Sequence, residues 1–309
     1  MSDRRPAYVA AAANGVVAGL APVFAAALTV SATTSAAWRM LIGTVWLLPT
    51  LRHWRAIPWK ASFLSSLTYV TGLPAYFLAA QLTSVASMLV FSATLPAWVA
   101  LGERVFFGTR LPRPVLLAMV VVMGGAVVAV LGESASGTTP WGIAVAFFAM
   151  VVVFVVYILI TQHTMQHHQV GPYIFGVSLF ATAMLSPWAI TGVGELSWRD
   201  FGVLIAMALT GGVAGAWMGA WAQKRLSGAV TSTLQLISVP SGALIAFIAL
   251  DQQPNPFIVI GGAIVIAGTI TLVRAEQRSR PDLVAVVDPA IDPTAAETIL
   301  DEFDVDESD

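Results

Sequence analysis

The chain is a succession of long apolar runs separated by short polar breaks. Each run approaches the length of about 20 residues that an α-helix needs to cross a bilayer. The runs, numbered here as spans one to ten, cover 8–30, 35–51, 61–80, 83–102, 114–131, 141–161, 172–191, 201–222, 227–250 and 257–273. The connections are short, as packed helical bundles require. The pattern therefore predicts an all-α membrane protein with ten transmembrane helices, the first of them uncleaved.

Composition supports this reading and excludes most soluble classes. Hydrophobic residues are 57% of the 309 residues and charged residues only 10%, whereas soluble domains carry about 45–50% apolar and about 25% charged residues. A surface exposed to water cannot be built from so few charges. Cysteine is absent, which excludes disulfides, thiol catalysis and Cys-ligated metals. We expect a multi-pass protein of the cell membrane.

Charged residues are distributed unevenly along the chain. If the N-terminus (1–6) is cytoplasmic, 13 of the Lys and Arg residues fall in cytoplasmic segments, and only Arg199 falls in an outer loop. Positive charge marks the cytoplasmic side of membrane proteins, so the pattern predicts that both termini are cytoplasmic. Of 17 acidic residues, 11 lie from Glu276 onward. That composition predicts a disordered, acidic cytoplasmic tail over 274–309.

The membrane region contains a weak internal duplication at an offset of 144 residues. The offset superposes Pro96 on Pro240, Pro112 on Pro256, and Gly124 on Gly268. Each copy holds five spans, an odd number, so the second copy enters the membrane upside down relative to the first. Inverted repeats are typical of secondary transporters, whose substrate site lies near the midplane between the copies. The expected repeats cover 7–132 and 140–273.

Short motifs mark both halves. The first half has Ala37-Trp38-Arg39-Met40-Leu41 in span two, Pro96 in mid span four and Gly124-Gly125, and the second half has Pro240, Asp251 and Gly261-Gly262 through Gly268. With these motifs, residues 7–273 resemble the drug/metabolite transporter superfamily, specifically its EamA-type ten-helix transporters. There is one departure, since the acid expected near the end of span four is Phe107, while span nine keeps Asp251. The resemblance implies a carrier of a small metabolite, in many members an exporter.

Polar and aromatic side chains recur at helical spacing inside the apolar runs. Spans four and nine share one polar face at the repeat offset, and spans three and eight share an aromatic one. A polar group in hydrocarbon costs several kcal/mol unless it is satisfied, so these faces indicate either a cavity or bonding between neighbouring helices. The candidate substrate-binding residues are Asn14, Arg39, Tyr69, Tyr76, Ser87, Thr94, Trp98, Trp217, Thr231, Gln235 and Ser238.

Two kinds of residue carry a more specific expectation. Pro96 and Pro240 each remove a backbone hydrogen bond within a span, which predicts either a matched pair of hinges or harmless packing kinks. Arginine near the bilayer centre costs about 2.5–3.5 kcal/mol on insertion scales. Arg39 should therefore either extend to the outer surface or pair with a carboxylate such as Asp251.

We expect the two faces to meet around one midplane cavity. Its wall would offer hydrogen bonds and flat apolar surface without a fixed charge. Such a wall suits a neutral or zwitterionic metabolite with an apolar part, such as an amino acid, better than a phosphate ester. The function predicted from sequence is thus a secondary transporter that works by alternating access and is an exporter.

Two alternatives belong to other classes. A membrane scaffold or regulatory subunit of the same fold would not need a polar interior. An intramembrane enzyme is disfavoured because the chain has no His-Glu-x-x-His or Gly-x-Ser-x-Gly motif and no paired intramembrane aspartates. His163 and His167 have metal-compatible spacing but no nearby carboxylate, so we expect no metal and no cofactor. The expected partners are lipid, the substrate and a candidate coupling proton; nucleic acid is excluded and a homodimer is left open.

Overall fold

The structure is a computed structural model that describes residues 5–107, 113–135, 140–165, 168–223, 234–251 and 255–279. Within these ranges the chain is helical and contains no β-strand. The α-helices are α1 (Arg5–Ala26), α2 (Ala32–Leu47), α3 (Trp59–Leu82), α4 (Val85–Ala93), α5 (Leu95–Phe107), α6 (Arg113–Ala135), α7 (Pro140–Phe147), α8 (Phe154–Met165), α9 (Val170–Thr191), α10 (Trp198–Met207), α11 (Ala216–Gln223), α12 (Ser238–Leu250) and α13 (Pro256–Ser279).

Five helical stretches in the described residues are long and apolar enough to cross a membrane. They are Pro6–Ala26, Trp59–Leu82, Pro140–Thr161, Val170–Glu195 and Trp198–Ala222. Shorter apolar helices cover Val85–Val99, Leu116–Ala129, Ser241–Leu250 and Pro256–Thr271. Many of their large apolar side chains are exposed, including Val120, Ile190 and Ile248, which suits a surface in contact with lipid. The chain is a multi-span membrane protein.

Both mid-span prolines lie in the first turn of a helix. Span four is interrupted at Thr94, which separates α4 from α5, and Pro96 follows within the first turn of α5. In span nine, α12 begins at Ser238 and Pro240 lies in its first turn. Proline is tolerated in a first turn because the amide hydrogen that it lacks would have no intrahelical partner there. Each interruption therefore falls just before one of the two prolines that the offset of 144 matches.

Two spans that the sequence predicts as continuous α-helices contain π-helical segments. One covers Phe148–Val153 between α7 and α8, and the other covers Ala208–Gly215 between α10 and α11. Single turns of π-helix are rare and occur frequently at functional sites. The apolar pattern could not reveal them, because these segments consist of apolar and small residues around the whole helix.

The packing of helices in the first half is repeated in the second. Helix α1 contacts α12, and in the same way α8 contacts α5. Helix α3 contacts α7, α8 and the π-helical segment between them. In the same way, α1 contacts α10, α11 and the π-helical segment between those two helices. The two most extensive pairs, α6 with α13 and α2 with α9, join equivalent helices of the two halves. This exchange of equivalent contacts supports a two-repeat architecture.

Glycines bring α6 and α13 close together. A methyl group built on Gly125 would lie 2.9 Å from the carbonyl oxygen of Gly261, and one on Gly261 would lie 2.6 Å from the amide nitrogen of Ala129. Small residues at such a crossing let two backbones approach, which drives helix association where lipid removes the hydrophobic effect. Buried Val122 and Val265 fill the space beside the crossing.

Adjacent glycines in α6 give a matched test of this crossing. Gly125→Ala is expected to lower thermal stability in detergent, because overpacking of a tight contact costs roughly 1–3 kcal/mol. Gly124→Ala places its methyl group in open space and should leave stability unchanged or slightly raise it. Equal melting temperatures for the two variants would contradict the close approach of α6 and α13.

Candidate functional site

The middle of α2 places Arg39 between helices of both repeats. Its Nε is buried without a hydrogen-bond partner, and no ion pair joins its guanidinium to an acid within the part of the chain described. Asp251 is exposed at the end of α12, and the structure gives no contact between it and Arg39. Instead, the phenol groups of Tyr69, Tyr76 and Tyr157 lie near the guanidinium.

Arg39 lines a cavity of about 20 Å³. The first repeat contributes Arg39, Met40, Gly43, Leu47 and Tyr69 to the wall, and the second contributes Tyr157, Ile174, Val177, Ser178, Gly212, Val213 and Ala216. A cavity of this size has room for about one water molecule. In this conformation the cavity is therefore too small to contain a metabolite.

Tyrosines form the aromatic part of this site. The rings of Tyr69 in α3 and Tyr157 in α8 meet edge to face, with centroids 5.1 Å apart. Tyr76, two turns further along α3, is buried and its hydroxyl has no partner. The site thus combines a cation, phenol groups and apolar surface. Of the residues selected from sequence, Arg39 and Tyr69 line the cavity and Tyr76 adjoins Arg39.

The polar face of span nine lies elsewhere, against α1. Gln235 precedes α12, and its backbone lies against Gly15; the Ser238 carbonyl oxygen lies close to Gly19. Asn14, also in α1, packs with its amide against the glycine face of the second repeat, formed by Gly215 and Gly219.

The polar face of span four is also separate from the cavity wall. Ser87 is buried in the first turn of α4, where its amide donates to the Ser84 hydroxyl. Thr94 is buried and its hydroxyl donates to the carbonyl oxygen of Phe91 at 2.7 Å. The ring of Trp98 packs edge to face on Phe147, and its Nε1 is buried without a partner.

Trp217 is not in the wall either. Trp217 remains 42% exposed and its ring lies against Gly171 at the start of α9, although its neighbours Val213 and Ala216 line the cavity. Thr231 lies outside the described residues. The cavity residues that sequence reasoning missed are chiefly Tyr157 and Ser178. Tyr157 had a signal, since it is the one polar side chain in the run 150–160.

Hydrogen bonds to a buried carboxylate join the repeats at one end of the bundle. The Asp200 carboxylate accepts from the amide of Thr29 at 3.1 Å, from the Thr29 hydroxyl at 2.9 Å, and from the Ser197 hydroxyl. The Ser197 hydroxyl also caps α10 by accepting from the Asp200 amide. Beside it, Thr34 donates to Glu195. This Asp200 cluster connects the junction of α1 and α2 to the start of α10.

A second set of hydrogen bonds joins the repeats at the other end. Tyr173 is fully buried, and its hydroxyl lies 2.7 Å from the Ser65 hydroxyl and 2.8 Å from the Thr161 hydroxyl. The Ser62 hydroxyl donates to the Tyr173 carbonyl oxygen at 3.4 Å. This Tyr173 cluster connects the junction of α8 and α9 to the start of α3.

The two clusters are equivalent under an inverted repeat. Each connects the junction between the first two spans of one repeat to the start of the third span of the other. Tyr173 lies near the first residue of α9 and Glu195 lies just beyond its last, so the length of that helix, about 33 Å, separates them. The Arg39 cavity, whose α9 residues are 174–178, lies between the clusters, nearer to Tyr173.

Comparisons with known proteins agree with this architecture. Solved structures include 27 similar chains; one, described only as the crystal structure of a protein, superposes with a TM-score of 0.63 at 16% identity over 89% of this chain and 99% of that chain. No curated protein matches. The model of the EamA-like transporter family matches residues 5–131 and again residues 140–274. These two matches cover most of the sequence, so the chain belongs to the EamA-like transporter family, whose members are membrane transporters rather than enzymes.

Proposed function

We propose that this protein is a secondary transporter that exports a small neutral or zwitterionic metabolite, such as an amino acid. The observation that carries the proposal is the small Arg39 cavity, which both repeats line. Substrate sites of secondary transporters lie between inverted repeats in this way. Tyrosine and apolar side chains in its wall offer hydrogen bonds and flat surface to a small molecule.

The proposal includes ten membrane crossings with both termini cytoplasmic. Helices α4 and α5 form one crossing, α7 and α8 a second, and α10 and α11 a third, each pair joined through the interruption described above. The excess of Lys and Arg on one side supports this orientation. The repeats then cover 7–132 and 140–273, with 1–6 and 274–309 in the cytoplasm. In this orientation the Asp200 cluster faces outward and the Tyr173 cluster faces the cytoplasm.

Alternating access needs two barriers that open in turn around one site. The Asp200 and Tyr173 clusters suit this role, because each ties one repeat to the other at opposite ends of α9. Both are closed here, and the cavity between them has room for about one water molecule. This arrangement corresponds to an occluded state, from which breaking either cluster would open a path to one side.

The energy for transport would come from an ion gradient or from the substrate gradient, since the chain carries no ATP-binding motif. A proton is the coupling ion that we propose to test first. The other partners in the proposal are the lipid bilayer and the substrate. A homodimer is compatible with it, and the mechanism does not require one.

Gly43 provides a direct test of the cavity, because a side chain added there meets nothing within 4 Å and Gly43 lies in the wall. Purified protein in proteoliposomes is expected to carry at least one member of a panel of labelled amino acids and related metabolites, with uptake measured with and without an imposed pH gradient. Gly43→Leu should fill the cavity and reduce that uptake at least tenfold, since a leucine side chain greatly exceeds the free volume.

The matched control is Gly124→Leu, where the added side chain also has open space but lies away from the cavity. It should transport like the original protein, and both variants should reach the membrane in normal amounts. A protein that carries no member of the panel would favour the scaffold alternative. Normal transport by Gly43→Leu would show that the substrate path lies elsewhere.

A further inference from the structure

The Arg39 guanidinium has no anion to balance it in the described part of the chain. Its Nε is buried without a partner, and the groups around it are the phenols of Tyr69, Tyr76 and Tyr157. A guanidinium remains protonated in proteins, and an intramembrane charge without a partner is unfavourable. The adjoining cavity has room for only about one water molecule, so water can solvate the cation only poorly there. The site therefore lacks a negative group that a ligand could supply.

We propose that Arg39 binds a carboxylate group of the transported substrate. This inference rests on the proposed function and narrows it to substrates that carry a carboxylate. The planar guanidinium presents parallel N–H donors that match the two oxygens of a carboxylate. A single cation balances a single negative charge, so a monocarboxylate fits better than a doubly charged phosphate ester.

The rest of the wall determines what accompanies the carboxylate. Met40, Ile174 and Val177 are apolar, and the rings of Tyr69 and Tyr157 add flat surface. The substrate body in contact with them is therefore apolar. None of the residues that line the described cavity is acidic, so an ammonium group finds no counter-ion there. It follows that the carboxylate is required for binding, whereas the amino group of an amino acid is dispensable.

Two series of matched probes separate these contributions. The first comprises leucine, 4-methylpentanoate, leucinamide and 3-methylbutylamine, and the second comprises phenylalanine, 3-phenylpropionate, phenylalaninamide and 2-phenylethylamine. Each series keeps one apolar body while the carboxylate and the amine are present or absent. Binding to the purified full-length protein is measured by the rise in its melting temperature. In at least one series, both carboxylates should raise it, and the amide and the amine should not.

Arg39 variants connect this selectivity to the residue. Arg39→Gln should weaken carboxylate binding at least tenfold, and Arg39→Lys should retain part of it, because it keeps the charge without the planar fork. Arg52→Gln, which removes an exposed arginine, should bind like the original protein. Without ligand, Arg39→Gln should melt at the same temperature as the original protein or higher, since it removes an unbalanced charge.

Three results would overturn the proposal. The first is that, in both series, the carboxylates raise the melting temperature no more than the amides do. The second is that Arg39→Gln binds carboxylates as tightly as the original protein. The third is a large loss of stability in unliganded Arg39→Gln, which would indicate a structural ion pair. The transport assay tests the proposed function separately. If the protein binds carboxylates through Arg39 but transports nothing, the binding site is supported and the transporter function is refuted. If the protein transports substrates with and without a carboxylate equally well, the transporter function is supported and the role of Arg39 is refuted.

Discussion

Asp200→Asn is expected to open the outer side of the cavity and to reduce transport at least tenfold. The carboxylate accepts hydrogen bonds from the amide and hydroxyl of Thr29 and from the hydroxyl of Ser197. Asparagine keeps one acceptor oxygen and turns an NH₂ group toward donors, so some of these bonds are lost. Hydrogen bonds to a charged acceptor are about twice as strong as neutral ones. The equilibrium between the closed and the open state of the outer barrier should therefore shift toward the open state on the order of a hundredfold.

The absence of cysteine makes this shift measurable with one introduced thiol. Ser178 lines the cavity, and Ser178→Cys should react slowly with a membrane-impermeant thiol reagent while both clusters are closed. Adding Asp200→Asn should accelerate labelling from the outside only. The control is Asp251→Asn, which changes an exposed acid. Unchanged labelling in the Asp200 variant would show that this cluster is a structural cap rather than a barrier.

Helix positions were largely predictable because a membrane span must be apolar over most of its length. The apolar runs around α1, α3 and α9 correspond closely to the observed helices. Span two shows the limit of the pattern. It was predicted over 35–51, but α2 ends at Leu47 and the chain continues as a 3₁₀-helix over Leu48–Ala56. Hydropathy measures the environment of side chains, and it does not detect a change in backbone hydrogen bonding.

The site was predictable only in part, because periodicity shows which face of a helix avoids lipid but not what that face meets. Arg39 and Tyr69 line the cavity between the repeats. The polar faces of spans four and nine also avoid lipid, but they do so without lining this cavity. Thr94 bonds its own helix, and Gln235 lies against Gly15 of α1. A polar stripe that packs against a neighbouring helix looks the same in the sequence as one that lines a cavity.

The two clusters could not be found from spacing at all. Thr29 and Asp200 are 171 residues apart, and Ser65 and Tyr173 are 108 apart. Their pairing depends on how the two repeats pack against each other. Sequence arithmetic predicted an inversion of the second repeat from the odd number of spans in each copy. It could not indicate which residues at the ends of the spans would face each other.

Tyr173→Phe is expected to open the opposite, cytoplasmic side of the cavity. The variant keeps the buried ring and removes only the hydroxyl, which bonds the hydroxyls of Ser65 and Thr161. Two neutral hydrogen bonds contribute about 2 kcal/mol together, which is roughly a thirtyfold change in the equilibrium between closed and open. The shift should be smaller than that of Asp200→Asn, because no charged group takes part.

The measurement uses the same Ser178→Cys reporter in vesicles of both orientations. Tyr173→Phe should accelerate labelling from the cytoplasmic side and leave labelling from the outside slow, while Tyr8→Phe, which alters an exposed tyrosine, should change neither. Since a ligand or variant can move a two-state equilibrium only through contacts that differ between the states, opposite effects of the two variants would require two separate barriers. If both variants opened the same side, the clusters could not alternate, and the equivalence inferred from the inverted repeat would have no role in transport.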